Sequence, residues 1–355
     1  MKNRIVKKLL RASLFALLPM LTACSDSFIF DDEGDCSVKV QFVFTKNRQA
    51  LQTIDGIGAD AFAGTVQTVH LFVLDAESGE PVFEKTEKAS NLTNGCIMPT
   101  GLGPGKYTFI AWCGLDSNDE NNAFTLHHNY STRADGDHCR IKTGTDSQPV
   151  HDAKFDALYH GITRDVTLTL DNVDHPVKVE LTKNTNDIAV YIQHPEASFK
   201  DGDYTVSYED ANGTMHFTDN SILSEDERLT YRPHTSSILT TSSEYNGEVM
   251  EAGAMIAHIS VGRLMAAHKD SARMVVRDKE GNEVFAIPFL KYLLEMQTFT
   301  EPSRASGAVK DEQWYLDCED TYQCSFYITG DQGLWTANRI IINNWVKVPD
   351  QNEGI

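Results

Sequence analysis

The sequence predicts an all-β protein built from antiparallel β-sandwiches, with few short helices. Three observations lead to this fold class. Short segments in which apolar and polar residues alternate recur along most of the chain, and a period of two is typical of half-buried strands. Glycine, proline, asparagine and aspartate separate these segments at close intervals, as expected for turns. Long helical segments do not alternate with the strands, which argues against a parallel sheet covered by helices.

Residues 1–23 have the three parts of a secretory signal peptide. A basic segment precedes the short apolar stretch 12–20, and the small-residue sequence Leu21-Thr22-Ala23 then leads into Cys24. This apolar stretch is far shorter than the roughly 20 residues that a transmembrane helix needs. The pattern resembles the bacterial lipobox, in which Cys24 is acylated and becomes the first residue of the mature protein. The alternative is an ordinary secretory signal followed by a chance cysteine.

Residues 24–35 are predicted to form a lipidated acidic tether. Each acyl CH₂ buried in a bilayer contributes roughly 0.8 kcal/mol, so several chains on Cys24 would hold the protein on a membrane. The acidic run resembles the surface-export signals of Bacteroidetes lipoproteins, and a solvated linker is the alternative. Its acidic residues are Asp26, Asp31, Asp32, Glu33 and Asp35.

The first predicted domain, residues 36–174, is a β-sandwich. Its opening segment alternates regularly, and the second segment is apolar almost throughout, which is typical of a strand buried on both faces. Residues 75–79 predict a turn after this second strand, and the glycines and proline of 101–105 predict a loop. The predicted strands are 37–44, 66–74, 81–84, 106–112 and 166–170.

The second predicted domain, residues 175–355, is another β-sandwich, with a boundary at 171–176. Asn212-Gly213 predicts a hairpin turn, and 279–282 predicts a second hairpin. The Ser- and Thr-rich segment 218–250 lacks periodicity and predicts a long loop, whereas 289–296 predicts a short helix. The predicted strands are 177–181, 187–192, 204–208, 214–217, 274–277, 283–287, 322–328 and 339–348.

The charge of the chain excludes several classes of partner. The full sequence has a net charge of −20, and removing the five basic residues of the signal peptide leaves −25 on 332 residues. Nucleic acids and anionic lipids would be repelled by such a chain, so we expect neither as a partner. The length predicts two domains, each large enough to bury a core.

Six cysteines remain after Cys24, and an exported protein can pair them as disulfides. Cys318 and Cys324 are close enough in sequence to form a local bridge. The other four allow three connectivities, which the sequence does not separate. Buried thiols that pack as small apolar side chains are the alternative. The remaining four are Cys36, Cys96, Cys113 and Cys139.

No residue pattern predicts an enzyme. The sequence lacks the common nucleophile, zinc-protease, phosphate-loop and dinucleotide motifs. His127-His128, His151 and His160 are candidate metal ligands, and the loop 116–122 offers oxygen atoms to a cation. This loop lacks the glycine and glutamate of an EF-hand. Scattered histidines and a solvated loop are the favoured interpretation, so we expect no metal, cofactor or small-molecule substrate.

Several segments together resemble the fimbrial anchor lipoproteins of the Bacteroidales. Each segment is a structural signature, and their order along the chain is what makes the resemblance specific. They are the lipobox, CSVKVQFVF at 36–44, VHLFVLDAESGEPV at 69–82, GPGKYTFIAWCGL at 103–115, ALYHG at 157–161, LTKNTNDIAVYI at 181–192 and IIINNWVKV at 340–348.

This resemblance implies two tandem transthyretin-like β-sandwich domains. It also implies a lipid-anchored subunit on the outer membrane, exposed at the cell surface, that holds fimbrial shaft subunits to the cell and limits the length of the fimbrium. Polymerising relatives exchange a β-strand after an arginine-specific protease removes an amino-terminal segment. Strand addition of this kind satisfies the backbone groups of an open sheet.

Two segments are candidates for processing and for subunit contact. Arg48 follows the first strand, where such a protease would cut, although an ordinary loop arginine is the favoured interpretation. Residues 339–348, including Ile340, Ile342 and Trp345, are the candidate contact strand. A strand that closes the sheet within the chain is the alternative.

The leading hypothesis from the sequence is a non-enzymatic, lipid-anchored fimbrial anchor. The alternative is a surface lipoprotein that captures glycans or host proteins through exposed aromatic residues and acidic loops. An enzyme on a β-sandwich has little support because no convergent catalytic set is present.

Overall fold

The structure is a computed structural model, and strands dominate it. Among the residues that it describes there are twenty-one strands and two α-helices. The described residues are 38–44, 46, 66–92, 95–115, 123–128, 137–143, 149–170, 176–194, 200–223, 228–245, 248–297, 311–329, 336–342 and 345–347. The signal peptide, Cys24, the acidic tether, Cys36, Arg48 and the loop 116–122 lie outside this set.

The strands are numbered in chain order. The first eleven are β1 (Val40–Phe44), β2 (Thr68–Asp75), β3 (Pro81–Lys88), β4 (Cys96–Ile97), β5 (Gly105–Cys113), β6 (Phe124–His127), β7 (His138–Ile141), β8 (Val150–His151), β9 (Tyr159–Leu168), β10 (Val177–Lys183) and β11 (Thr185–His194).

The remaining elements include both helices. They are β12 (Tyr204–Asp210), β13 (Thr214–His216), β14 (Leu229–Tyr231), β15 (Thr235–Tyr245), β16 (Glu248–Gly262), β17 (Arg273–Asp278), β18 (Glu283–Ile287), α1 (Phe289–Gln297), α2 (Glu312–Cys318), β19 (Thr321–Thr329), β20 (Thr336–Ile342) and β21 (Trp345–Lys347).

The strands form four sheets. The seven-stranded sheet has the order β3-β2-β5-β9-β10-β1-β4, and the six-stranded sheet has the order β15-β16-β11-β19-β20-β21. A five-stranded sheet, β18-β17-β12-β14-β8, and a three-stranded sheet, β13-β7-β6, complete the described part. Most neighbouring strands are antiparallel, and the parallel pairs are β1 with β10, β8 with β14 and β11 with β19. The all-β prediction is therefore confirmed.

The apolar run of β2 is explained by its position between two hydrophobic cores. Side chains alternate between the two faces of a strand. Val69, Leu71 and Val73 enter a smaller core, whereas Phe72 enters a larger one. The larger core also contains Phe326, so apolar side chains from both predicted domains pack in one cluster.

Four local predictions differ from the structure. Strand β12 pairs with β14 and β17, and β13 pairs with β7, so the predicted hairpin around Asn212-Gly213 is wrong. Segment 218–250 contains β14 and β15, so it is not a loop. The predicted strand 339–348 is two strands, β20 and β21, that pair with each other. Strand β10, predicted for the second domain, lies in the seven-stranded sheet beside β1. The division into two domains stays a prediction.

Other local predictions agree with the structure. Strands β17 and β18 pair as an antiparallel hairpin, and α1 covers the predicted helix. Strands β2 and β3 pair antiparallel across the turn at 75–79. In the part of the chain that is described, no helix is long and apolar enough to cross a membrane.

Candidate functional site

The first strand, β1, is inserted into the seven-stranded sheet immediately after the predicted tether. It pairs parallel with β10 on one side and antiparallel with β4 on the other. Its side chains Val40, Phe42 and Phe44 are buried in the smaller core. Burying one large apolar side chain contributes about 1.5–3 kcal/mol, so these three side chains hold β1 in the sheet.

A buried ion pair between Arg263 and Asp317 lies beside Lys46, which follows the end of β1. Arg263 donates two hydrogen bonds of 2.9 Å to the carboxylate of Asp317, whose side chain is only 2% exposed. The Lys46 ammonium approaches the same carboxylate at 3.3 Å, and Gln313 donates to it at 3.0 Å. These contacts tie the end of β1 to α2 and to the end of β16.

More polar contacts surround this ion pair where β10 passes into β11. Lys183 lies 3.1 Å from the Asp320 carboxylate. Asn184, the single residue between the two strands, exchanges two side-chain hydrogen bonds of 2.7 Å with Asn220. The Asn220 backbone carbonyl in turn accepts a hydrogen bond from the Arg263 guanidinium at 3.1 Å. We call this group the polar joint: Lys46, Lys183, Asn184, Asn220, Arg263, Gln313, Asp317 and Asp320.

The polar joint links two sheets. Residues 183 and 185 belong to the seven-stranded and six-stranded sheets respectively. A buried charge is costly unless it is paired and hydrogen-bonded, and the Asp317 carboxylate is contacted by Lys46, Arg263 and Gln313 of this joint. The joint could not be predicted from the sequence, because its members are far apart along the chain.

The candidate contact strand lies at an edge of the six-stranded sheet. Strand β20, which contains Ile340 and Ile342, pairs antiparallel with β19 on one side and with β21 on the other. Strand β21, which begins at Trp345, is the last strand in that order. An edge strand presents backbone donors and acceptors on its outer side. Contact with another subunit stays a prediction.

The opposite edge of the same sheet is β15. This strand pairs with β16 on its inner side, and its sequence TSSILTTSS at 235–243 contains no charged residue. Leu239 within it is 53% exposed. Charged residues and proline commonly protect edge strands from pairing with other chains, and this strand has neither over nine residues.

The structure does not form the predicted disulfide between Cys318 and Cys324. Cys324 is a free thiol that faces the larger core from β19, and burial raises its pKa well above the ordinary value. Cys318 is the last residue of α2. Cys113 and Cys139 are also buried free thiols. The disulfide pairing of the exported protein stays a prediction.

The candidate metal-binding histidines are not brought together. His151 stacks on Phe155 with a ring separation of 4.0 Å. The His160 Nε2 lies 3.2 Å from the Phe217 carbonyl oxygen, and burial lowers the pKa of His160 to about 3. Throughout the described ranges, no three His, Cys, Asp or Glu side chains are placed to hold a metal ion.

These features define an all-β protein whose first described strand is paired on both sides within the seven-stranded sheet and whose six-stranded sheet has β15 and β21 at its edges. The chain belongs to the family of fimbrillin-A associated anchor proteins Mfa1 and Mfa2, whose model matches residues 32–350. The sequence-based assignment to a fimbrial anchor family is therefore confirmed. Membership indicates a structural role at the cell envelope.

Solved structures share the fold. A candidate polysaccharide-binding protein from Bacteroides thetaiotaomicron is 22% identical with a TM-score of 0.66, and the alignment covers 89% of this chain and 99% of that one. A candidate adhesin from the same species is 23% identical with a TM-score of 0.68, covering 88% and 97%. The fimbrial anchor protein Mfa2 from Porphyromonas gingivalis is 14% identical with a TM-score of 0.58, covering 87% and 98%. These identities show the fold alone. No curated protein matches the sequence.

Proposed function

We propose that this protein is a non-enzymatic anchor subunit that attaches a fimbrium to the outer membrane and limits its length. The observation that carries the proposal is the anchor-family match, which begins within the acidic tether and extends to residue 350. The lipobox at 21–24 supplies the membrane attachment, through acyl chains on Cys24.

The position of β1 supports this role. An anchor transmits tension from the fimbrium to the lipid, and the tether leads directly into β1. Because β1 pairs with neighbours on both sides, tension along the tether acts on two rows of backbone hydrogen bonds. The Lys46–Asp317 and Arg263–Asp317 contacts connect the end of β1 to the carboxyl-terminal half.

Fimbrial shaft subunits are the proposed partners, and the proposed contact is strand addition at β21. The short strand β21 ends the order of the six-stranded sheet. An added strand from another subunit would satisfy the backbone groups of this edge, as in other cases of β-augmentation.

The test is fractionation of cells that carry Cys24→Ala, following both this protein and its fimbriae. The proposal expects wild-type protein and fimbriae in the outer membrane, and it expects both in the medium or periplasm for the variant. Cys96→Ala is the control, because Cys96 lies in β4 and is remote in sequence from the lipobox. This variant should behave as wild type.

A deletion strain tests the fimbrial role separately from lipidation. Loss of the anchor should release fimbriae or lengthen them, as measured by electron microscopy of cells and medium. Fimbriae of normal length that remain attached to deletion cells would overturn the anchor role. If Cys24→Ala releases the protein while fimbriae are unaffected, the result supports acylation of Cys24 but contradicts the fimbrial anchor role. The alternative function, a surface binding module, would then replace it.

A further inference from the structure

A polar cleft lies on the outer face of the five-stranded sheet, beside the β15–β16 hairpin. Its volume is about 710 Å³, within the roughly 300–1,000 Å³ typical of small-molecule sites. We propose that this cleft binds a short neutral oligosaccharide. The inference is independent of the anchor role, because it depends on side chains of β12, β14, β15 and β17 and not on the tether or β21.

Arg277 is held in place at the base of the cleft. Its guanidinium donates to the Ser207 hydroxyl at 3.0 Å and to the Glu209 carboxylate at 2.6 Å. The Glu209 side chain is only 9% exposed and also pairs with Arg273 at 3.2 Å. A guanidinium has five N–H donors, and two bind these partners. Arg277 therefore offers further donors in a fixed orientation to a ligand.

A second arginine of the cleft lining has no side-chain partner among the described residues. Arg232 is exposed and lines the cleft, and its side chain forms no hydrogen bond or ion pair with the described residues. The hydroxyls of Thr230 and Ser236 line the cleft as well. These groups can both donate and accept hydrogen bonds.

Two carboxylates complete the polar set. Asp152 and Asp201 line the cleft and are exposed, and carboxylates are acceptors only. Ile238 and Met255 provide an apolar strip on the side of the β15–β16 hairpin. Guanidinium donors, carboxylate acceptors and hydroxyls therefore surround a partly apolar surface.

This combination fits a neutral sugar better than an anion or an apolar ligand. A sugar ring carries adjacent hydroxyls that both donate and accept, and it has apolar C–H faces. Glu209 is already paired with Arg273 and Arg277, which leaves Arg232 against the exposed carboxylates of Asp152 and Asp201 in the cleft lining. An anionic ligand would meet this negative excess in addition to the net charge of the chain.

The experiment is binding of the full mature protein to an array of neutral and uronic-acid oligosaccharides, followed by calorimetry with the neutral sugar that gives the strongest signal. Arg232→Ala should weaken its binding about tenfold or more, because a charge-assisted hydrogen bond is lost. The thermal unfolding midpoint should not change, since Arg232 has no partner to lose. Arg140→Ala, an exposed arginine of β7 outside the cleft, is the matched control and should bind as wild type.

The salt dependence and a second variant separate the ligand classes. Binding of a neutral sugar should not change between low and high salt, because ionic screening acts on charged partners. Asp152→Asn should weaken it, since an amide accepts a weaker hydrogen bond than a carboxylate. Binding confined to uronic acids, binding that Asp152→Asn strengthens, or binding that Arg232→Ala leaves unchanged would each overturn the proposal. So would an array without any neutral sugar bound.

Discussion

At the scale of single residues, Asp317 shows how a buried charge is stabilised. Its carboxylate is 2% exposed and depends on Arg263 for two of its hydrogen bonds. Arg263→Ala would leave this carboxylate with Lys46 and Gln313 only. We expect a loss of about 3 kcal/mol in the free energy of unfolding, because removing one partner of a buried pair leaves its charge uncompensated.

Urea denaturation of the purified protein measures this loss. Lys279→Ala is the control, since the Lys279–Glu280 pair is exposed on both sides and exposed pairs contribute about 0–1 kcal/mol. Equal stability of the two variants would show that the polar joint does not stabilise the fold.

A second residue, His160, makes stability depend on pH. Burial, followed by the positive charge of Arg263, lowers its pKa from 6.5 to about 3. Below pH 6.5 the imidazole is protonated in the unfolded chain but stays neutral in the folded one, so acid favours unfolding. Stability should fall by about 1.4 kcal/mol for each pH unit below 6.5, and this loss should end near pH 3.

The measurement is the free energy of unfolding at several pH values between 7 and 4, for wild type and His160→Gln. Gln retains an N–H donor for the Phe217 carbonyl and does not titrate. His151 and His234, whose pKa values are also lowered by burial, contribute equally to both proteins. The difference in the free energy of unfolding between wild type and His160→Gln should therefore change with pH. A difference that stays constant over this pH range would contradict the prediction.

At the scale of elements, a hairpin can be predicted from the sequence when hydrogen bonds within the turn itself stabilise it. The β17–β18 hairpin is predictable because Asp278 accepts hydrogen bonds from the Asn282 backbone and side chain at 2.8 and 3.0 Å, and Gly281 has a φ of +85°. In the sequence, Asn212-Gly213 looks like a similar turn signal. The Asn212 side chain instead donates to the Arg263 carbonyl at 2.9 Å and accepts from the Tyr231 hydroxyl at 2.6 Å. Tertiary contacts, which the sequence does not display, make it a core residue.

Two strands, β15 and β10, have partners that the sequence pattern does not reveal. Strand β15 shows little apolar alternation because it is an exposed edge paired only with β16. Strand β10 pairs in parallel with β1, which lies more than a hundred residues earlier in the chain. Adjacency in sequence therefore suggests the wrong sheet for β10. The polar joint could not be predicted for the same reason, because its members are far apart in the sequence.

The pairing of β1 predicts how the protein responds to a cut in the segment after it. We expect a unique protease site placed after Arg48 to leave the body attached to the membrane after cleavage, because β1 stays paired and its three apolar side chains stay buried. Adding urea should then release the body. Fractionation before and after urea measures this.

Phe42→Asp is the comparison for that experiment. Its side chain is 2% exposed, and burying an unpaired carboxylate there would weaken the strand's attachment. The cleaved variant should release its body without urea. Release of the cleaved wild-type protein in buffer alone would show that β1 does not hold the tether.

The sheet edge at β21 gives a further prediction. Truncation after Ile342 removes β21 and exposes β20 as the new edge. The variant should remain in the membrane fraction, but less shaft subunit should co-purify with it. The reason is that the strand contributed by the shaft subunit loses β21, its proposed partner. Circular dichroism checks that the sheets remain. Undiminished recovery would assign the contact to another surface.

At the scale of the whole molecule, the proposed anchor role assigns membrane attachment, transmission of tension and subunit assembly to different parts of the chain. The predicted lipid and tether lie at the amino terminus, β1 enters the seven-stranded sheet, and the edge strand β21 belongs to the six-stranded sheet. The polar joint and the larger core connect these sheets. The proposed role, which is to hold a filament under tension, requires such a connection between the two sheets.

The acidic tether carries the final prediction, which concerns where the anchor is displayed. Replacing Asp31, Asp32, Glu33 and Asp35 with alanine should leave acylation of Cys24 intact and keep the protein in the outer membrane. If the acidic run directs export to the surface, the variant should be retained on the inner leaflet. Protease digestion of intact cells should then degrade the wild-type protein and spare the variant, while lysed cells lose both. Equal digestion in intact cells would show that the segment is only a solvated linker.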